Sequence, residues 1–226
     1  MPGIDPLSDA KVIDSWRRNA EAWTTAVRER QIESRRLVTD AAVQGAVESL
    51  APRLVLDLGC GEGWLARALA ASGIQVTGVD VVPELVEQAT QRGGGTFLVM
   101  SYEDIAAGRL VGPFDAVVAN FSLIGGRTVD DLVHGIPRLL APSGSLVIQT
   151  VHPIVACGDL PYKDGWRPGS WTGFSSDFVD PAPWYFRTME SWESLITGSG
   201  LTIRSKLEPM NPTTGKPASL IFIAQR

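Results

Sequence analysis

Residues 55–63 read VLDLGCGEG, a short apolar run that passes into three glycines spaced two residues apart. An apolar run of this length, bounded by glycines, is typical of a buried β-strand that leads into a tight turn. The residues that follow, 64–72, are predicted to form a helix. The segment therefore indicates a strand, a glycine loop and a helix, an arrangement that open α/β sheets use to hold ligands.

The same alternation of short apolar runs and helical segments continues through the chain. Strands are predicted at 53–58, 75–80, 96–100, 115–119, 145–151, 202–207 and 218–225, and helices at 64–72, 83–92, 130–140 and 191–197. Strands that alternate with helices form a parallel sheet covered on both faces. The last two strands have no helix between them, so we expect an antiparallel pair near one edge. Pro137 predicts a kink or a late start in its helix.

We expect one domain over residues 1–226, built from four segments. Residues 1–50 form an N-terminal helical cap, 51–152 a cofactor-binding core, 153–190 a lid over the substrate, and 191–226 a C-terminal helix and strand pair. The lid is expected because this stretch is rich in proline, glycine and aromatic residues and lacks periodicity.

Composition excludes several classes of protein. The chain has 226 residues, 44% of them hydrophobic, and a net charge of -5. This apolar content excludes disorder as the main state, and the acidic balance argues against broad nucleic-acid binding. No apolar run reaches membrane-spanning length, and the first residues lack a secretory pattern. The two cysteines, Cys60 and Cys157, are too few for a disulfide framework or a metal site, which predicts a cytoplasmic protein.

Acidic residues distinguish this glycine loop from a dinucleotide-binding loop. Asp57 and Glu62 would repel a pyrophosphate, and Trp64 stands where the dinucleotide pattern has its third glycine. Asp80, at the end of the second predicted strand, is placed to accept hydrogen bonds from ribose hydroxyls. Together these features favour a nucleoside that also carries an ammonium group, which is the chemical shape of S-adenosylmethionine.

The motifs at residues 56–63 and 78–80 resemble those of the class I S-adenosylmethionine-dependent methyltransferases. The resemblance covers roughly residues 50–150, with a weaker match at 190–226, and is nearest to the small-molecule, quinone-biosynthesis-like branch. It implies a Rossmann-like, doubly wound sheet of seven strands in the order 3-2-1-4-5-7-6, with the last strand antiparallel. It also implies methyl transfer to O, N or C of a small organic molecule, with S-adenosylhomocysteine as product.

The resemblance further implies which residues bind the cofactor. Asp57 and the loop backbone would hold the methionine moiety, and Asp80 would hold the ribose. The implied set is Asp57, Gly59, Cys60, Gly61, Gly63, Asp80, Val81, Ser101, Tyr102, Asn120, Phe121 and Ser122. The sequence departs from the family at Ser101, where an aspartate is frequent, and after the fourth strand, where histidines are frequent.

The acceptor site is predicted from aromatic residues and one histidine. His152 is the candidate general base, since its unperturbed pKa lies near neutrality; the alternative is a hydrogen bond to a loop carbonyl. The candidate substrate residues are Trp16, Trp23, Trp166, Trp171, Trp184 and Tyr185. Ordinary packing remains an equal alternative for the first two. Arg28, Arg35 and Arg36 match either a carboxylate clamp or a solvated helix face, and the solvated face is favoured.

Two other functions stay open at this stage. One is a nicotinamide-dependent oxidoreductase, which the acidic loop disfavours. The other is a module that binds S-adenosylmethionine without transferring a methyl group. A nucleic-acid acceptor is disfavoured because residues 120–123 read NFSL, where enzymes that methylate exocyclic amines often carry Asn/Asp-Pro-Pro-aromatic. The sequence does not decide between a monomer and a homodimer.

Overall fold

A computed structural model describes residues 3–226 of the chain. Its strands are β1 (Leu54–Leu58), β2 (Gln75–Asp80), β3 (Thr96–Val99), β4 (Phe114–Asn120), β5 (Leu140–Thr150), β6 (Gly165–Arg167), β7 (Trp184–Phe186), β8 (Thr202–Leu207) and β9 (Leu220–Gln225). Its α-helices are α1 (Asp9–Arg18), α2 (Ala20–Arg28), α3 (Asp40–Glu48), α4 (Trp64–Ala71), α5 (Pro83–Arg92), α6 (Tyr102–Ala106), α7 (Arg127–Gly135), α8 (Pro153–Cys157) and α9 (Met189–Gly198).

Seven of the strands form one sheet in the order β3-β2-β1-β4-β5-β9-β8. Neighbouring strands from β3 to β5 are parallel, whereas β9 runs antiparallel to both β5 and β8. The predicted Rossmann-like order and the antiparallel last strand are therefore confirmed. Strands β6 and β7 pair only with each other, as a small antiparallel ladder.

Helices cover both faces of the sheet, as the continuous apolar runs of its central strands require. Leu56 and Leu58 of β1 pack into the cluster that contains Leu132 of α7 and Ile196 of α9. Their neighbour Val55 packs on the opposite face, into the cluster that α3 and α4 complete. Because parallel strands end at the same edge, this layering places the loops after β1, β2 and β4 side by side.

Several boundaries differ from the predictions for physical reasons. The helix expected at 130–140 is α7, which ends at Gly135, and a 3₁₀ turn (Ile136–Arg138) follows it. Pro137 explains this end because it has no N–H with which to continue the helix. The predicted N-terminal helical region is broken at Asn19 and contains a π-helical turn, Arg35–Thr39. Residues 153–190, the predicted lid, are called the insertion from here on. They were expected to lack regular structure, but they contain α8 and the β6–β7 ladder.

No helix in the part of the chain that the structure describes is both long and apolar enough to cross a membrane.

Candidate functional site

A cavity of about 400 Å³ lies at the carboxyl ends of the parallel strands. Nine of the twelve predicted cofactor residues line it: Gly59, Cys60, Asp80, Val81, Ser101, Tyr102, Asn120, Phe121 and Ser122. The other three, Asp57, Gly61 and Gly63, do not line the cavity. They belong to β1 and to the loop that shapes its wall.

The glycine loop is held against β2 and leaves no room for a side chain at Gly59. The amide N–H groups of Gly59 and Cys60 both donate to the Val79 carbonyl, at 2.8 and 3.0 Å. Gly59 has a φ of +70°, and a Cβ there would lie 2.4 Å from the Cβ of Ser122. The residue must therefore be glycine, which brings bare backbone to the edge of the cavity.

Asp80 is oriented by the backbone and keeps hydrogen-bonding capacity. Its Oδ2 accepts from the Gly61 N–H and its Oδ1 from the Val82 N–H, both at 2.9 Å. An ionised carboxylate has about four acceptor positions, so each oxygen retains one. Burial raises the pKa of Asp80, while these backbone N–H groups act in the opposite direction. A ligand with two neighbouring hydroxyls would satisfy both oxygens.

Asp57 lies behind the loop and is 2% exposed. Its Oδ2 has no hydrogen-bond partner among residues 3–226. Burial, and secondarily the charge of Asp80, raises the pKa of Asp57 to about 7. A cation that binds nearby would stabilise the ionised form of this unpaired, buried carboxyl.

The ends of β3 and β4 are tied together beneath the cavity. The Tyr102 hydroxyl donates to the Ser122 carbonyl at 3.2 Å, and Ser122 Oγ donates to the Leu58 carbonyl at 2.6 Å. Ser101 Oγ caps α6 by accepting from the Asp104 N–H. Phe121, between these groups, has a φ of +53°, a left-handed conformation that is strained for a residue other than glycine.

Aromatic residues from two distant parts of the sequence cover the cavity. We call the helices α1 and α2 together with residues 171–180 the roof. Trp16, Trp23 and Trp171 of the roof line the cavity, and the Trp16 ring meets the other two edge-on at centroid distances of 5.0 and 5.8 Å. Ser15 Oγ donates to the Asp180 carbonyl at 2.5 Å, and Lys11 forms an ion pair with the Asp180 side chain.

Three predicted substrate residues lie away from the main cavity. Trp184 and Tyr185 line a separate pocket of about 90 Å³. Trp166 packs edge-on against Tyr185, with ring centroids 5.6 Å apart. All three belong to the β6–β7 ladder, and none of them lines the main cavity. The structure therefore brings only Trp16, Trp23 and Trp171 of the six candidates to this site.

His152 does not line either cavity, although its neighbour Val151 lines both. The side chain is 5% exposed, and its Nε2 lies 3.6 Å from Glu208 Oε1. Neither ring nitrogen has a hydrogen-bond partner within the described residues. The hydrogen bond to a loop carbonyl, which was the alternative to a general base, is therefore absent there, and a general-base role for His152 stays a prediction.

Arg35 lies at the site, where the sequence offered a carboxylate clamp but favoured a solvated helix face. Its predicted position on a solvated face is wrong: the residue is 8% exposed and lines the cavity. The guanidinium lies 4.6 Å from the Trp64 ring centroid, and Nε donates to Asp40 Oδ1 at 2.9 Å. Its Nη2 is buried and has no hydrogen-bond partner in the described chain. Because Trp64 directly follows the glycine loop, this free donor lies at the loop's end of the cavity.

Glu62 was expected from the sequence to repel a pyrophosphate, but in the structure its negative charge is paired with arginine. Glu62 is fully buried, and both its oxygens accept from Arg67 Nη2 at 2.7 Å. Arg28 Nε adds a contact to Oε2 at 3.3 Å, so Arg28 joins α2 to the loop instead of facing solvent alone. Of the predicted trio of arginines, Arg36 is exposed as the solvated-face interpretation expects.

Comparisons with known proteins agree with this geometry. Residues 55–144 match the methyltransferase domain family. The chain is 38% identical over 108 residues to a ubiquinone biosynthesis O-methyltransferase of Xanthomonas oryzae pv. oryzae, a match that covers 46% of this chain and 45% of that protein. A protein of the same description from Xylella fastidiosa is 35% identical over 113 residues, covering 48% and 46%. The matched region thus spans less than half the length of these curated relatives.

Solved structures resemble the chain over a greater length. One is a Listeria monocytogenes S-adenosylmethionine-dependent methyltransferase structure, with a TM-score of 0.65, 20% identity and coverage of 80% of this chain and 95% of that one. Another is the Burkholderia thailandensis 1,6-didemethyltoxoflavin-N1-methyltransferase, with a TM-score of 0.65, 19% identity and coverage of 100% and 92%. Residues 55–144 are therefore similar to the methyltransferase domain family, and the chain shares its fold with these solved methyltransferase structures.

Proposed function

We propose that this protein transfers a methyl group from S-adenosylmethionine to a small organic molecule. The observation that carries the proposal is that one cavity is lined both by a carboxylate with spare acceptor positions and by an arginine with an unpartnered guanidinium nitrogen. Asp80 offers free acceptor positions toward a sugar, and Arg35 offers a free guanidinium N–H toward a carboxylate. A nucleoside that carries an amino-acid group complements both.

The residues present fit the ribose, the carboxylate and the sulfonium of this cofactor. Asp80 would accept from the ribose hydroxyls, and Arg35 with the loop backbone would hold the carboxylate. Trp16, Trp23 and Trp171 offer aromatic faces suited to a positively charged sulfur. The buried carboxyl of Asp57 adds negative potential behind the loop. The bound cofactor would supply an activated methyl group, while the roof would exclude water and the strand ends would align the acceptor.

The relatives support a small-molecule acceptor. Two of them are described as O-methyltransferases of ubiquinone biosynthesis, and a solved neighbour was crystallised with 1,6-didemethyltoxoflavin and S-adenosylhomocysteine. The net charge of -5 weighs against a nucleic-acid acceptor. Two free, buried cysteines support our placing the enzyme in the cytoplasm.

Calorimetric titration tests the cofactor assignment directly. The purified protein would be titrated with S-adenosylmethionine, S-adenosylhomocysteine and NADH. We expect the first two to bind with micromolar dissociation constants and NADH not to bind, because Asp80 and the buried Asp57 disfavour a pyrophosphate. Binding of NADH alone, or of none of the three, would overturn the proposal.

A second measurement separates an enzyme from a binding module. S-adenosylhomocysteine production would be followed over a panel of small phenols, amines and heteroaromatic compounds. Turnover with any acceptor is the expected result. Cofactor binding with no turnover across the panel would favour the module.

A further inference from the structure

The cavity extends beyond the part assigned to the cofactor. It is also lined by Ile124 and Gly125, which follow β4, by Val151, which follows β5, and by Ala218, which precedes β9. The roof covers this part with α1 and with Trp171 and Phe174. We call this part the acceptor end, because it follows β4 and β5, whereas Asp80 ends β2, which β1 separates from β4 in the sheet.

Apart from Thr128, the acceptor end is largely apolar, but one carboxylate faces it. Asp9, the first residue of α1, lines the cavity; its Oδ1 accepts from the Gly126 N–H at 2.7 Å and its Oδ2 from the Thr128 N–H at 3.4 Å. These bonds fix the carboxylate in place and leave an acceptor position on each oxygen. None of the ion pairs found within residues 3–226 includes Asp9, so no cationic side chain neutralises it.

The arginine side chains near the cavity bond to groups other than Asp9. Arg35, the one cationic side chain on the described cavity wall, lies beside Trp64, which follows the glycine loop, and it donates to Asp40. Arg187 lies under the loop that Asp9 contacts, but its guanidinium donates to the carbonyls of Gly125 and Gly126 at 2.8 and 2.7 Å. It also donates to Asp130 Oδ1 at 2.7 Å. An anionic ligand at the acceptor end would therefore meet Asp9 without a cationic side chain of the described wall paired with it to offset the repulsion.

We propose, resting on the function proposed above, that Asp9 selects the acceptor by charge. The acceptor is a flat, largely apolar molecule that presents a hydrogen-bond donor or a cationic nitrogen to Asp9, and acceptors that carry a carboxylate or phosphate there are rejected. The aromatic lining provides affinity for any flat molecule of suitable size. Asp9 provides the difference in affinity between acceptors, because it attracts those with a hydrogen-bond donor or a cationic nitrogen and repels those with a carboxylate or phosphate.

Three probes of one ring system test this selection. Tryptamine, 3-methylindole and indole-3-acetate differ mainly in the charge at one position: cationic, neutral and anionic. Each would be titrated by calorimetry into protein saturated with S-adenosylhomocysteine. We expect tryptamine to bind at least tenfold more tightly than indole-3-acetate, with 3-methylindole between them.

The substitution Asp9→Asn isolates the charge. Asparagine retains an oxygen that can accept from the Gly126 N–H. The melting temperature of the variant would be compared with that of the parent protein to check its folding. We expect the preference for tryptamine over indole-3-acetate to fall to less than threefold. The matched control is Glu21→Gln, which removes an exposed carboxylate from α2 and should leave the preference unchanged.

Four outcomes would overturn the proposal. They are equal or tighter binding of indole-3-acetate, an unchanged preference in Asp9→Asn, the same loss in Glu21→Gln, or no binding of any probe. Titration with S-adenosylhomocysteine alone comes first, and its failure would refute the cofactor assignment instead. The probes would then be titrated into the free protein, because the bonds of Asp9 to the Gly126 and Thr128 amides do not involve the cofactor.

Discussion

Asn19 and Val179 are joined by two hydrogen bonds that use both ends of the asparagine amide. Nδ2 donates to the Val179 carbonyl at 2.7 Å, and Oδ1 accepts from the Val179 N–H at 2.8 Å. Asn19 is fully buried at the junction of α1 and α2, whereas Val179 belongs to the insertion. The side chain thus pairs with the backbone as a neighbouring strand would, and it fastens the two parts of the roof together.

Replacing Asn19 with alanine should loosen the roof. The Val179 N–H would lose its partner, so we expect the free energy of unfolding in urea to fall by about 1–3 kcal/mol. S-adenosylhomocysteine should also dissociate faster in stopped-flow fluorescence, because Trp16 and Trp171 would be held less firmly over the cavity. Gln31→Ala removes an exposed amide and is the control. An unchanged dissociation rate in Asn19→Ala would show that the cofactor leaves without movement of this contact.

The carboxyl of Asp57 should make cofactor affinity depend on pH. With a pKa raised to about 7 by burial, Asp57 is largely protonated at pH 6 in the free protein. A ligand with an ammonium group favours the ionised form, so binding releases a proton below this pKa. We expect S-adenosylhomocysteine to bind about tenfold more tightly at pH 8 than at pH 6, measured by calorimetry. Asp57→Asn should bind weakly with little pH dependence; a parallel pH dependence would assign the proton to another group.

The same carboxyl should destabilise the free protein as the pH rises. The folded pKa lies above the ordinary value of 3.8, so between about pH 4 and pH 7 the folded state holds a proton that the unfolded state has released. This contribution to stability is complete below pH 4 and is lost as the pH rises through 7. Asp57→Asn should lose less stability than the parent between pH 5 and pH 8 in urea denaturation. The exposed Asp131→Asn should behave like the parent.

Arg35 should recognise the carboxylate of the cofactor. Loss of a charged hydrogen bond costs about 1.5–3 kcal/mol, so we expect Arg35→Gln to weaken S-adenosylhomocysteine binding by about 10- to 100-fold. Binding of 5′-methylthioadenosine, which lacks the amino-acid group, should change by less than threefold. Arg36→Gln, on the exposed side of the same turn, is the control. Equal losses for both ligands would mean that Arg35 only supports the shape of the site.

The sheet could be predicted from the sequence because its signals are local. The apolar runs of β1, β2 and β4 are bounded by glycine or polar residues, and the glycine loop and Asp80 lie at strand ends that the topology must bring together. Pro137 also predicted an irregularity in its helix, and α7 ends two residues before it. These features depend on residues a few positions apart, which helical and strand periodicity can detect.

The parts of the site that were missed depend on distant contacts or irregular turns. Arg35 lies at the start of a π-helical turn, and a wider turn shifts side chains away from the face that α-helical spacing assigns. Glu62 meets Arg28, which is 34 residues earlier, and no periodic pattern relates the two. The aromatic residues of the insertion divide between the roof and the β6–β7 ladder, a choice that only their packing decides.

The position of β9 in the sheet has a consequence for the synthesis of the chain. In the sheet, β9 lies between β5 and β8. The ribosome therefore makes β8 before it makes β9, the strand that joins β8 to the sheet. Until residues 220–225 have been made, β5 presents an apolar edge whose backbone groups are unpaired. The growing chain is therefore exposed to aggregation at this edge, and the sheet can close only after translation has passed its last strand.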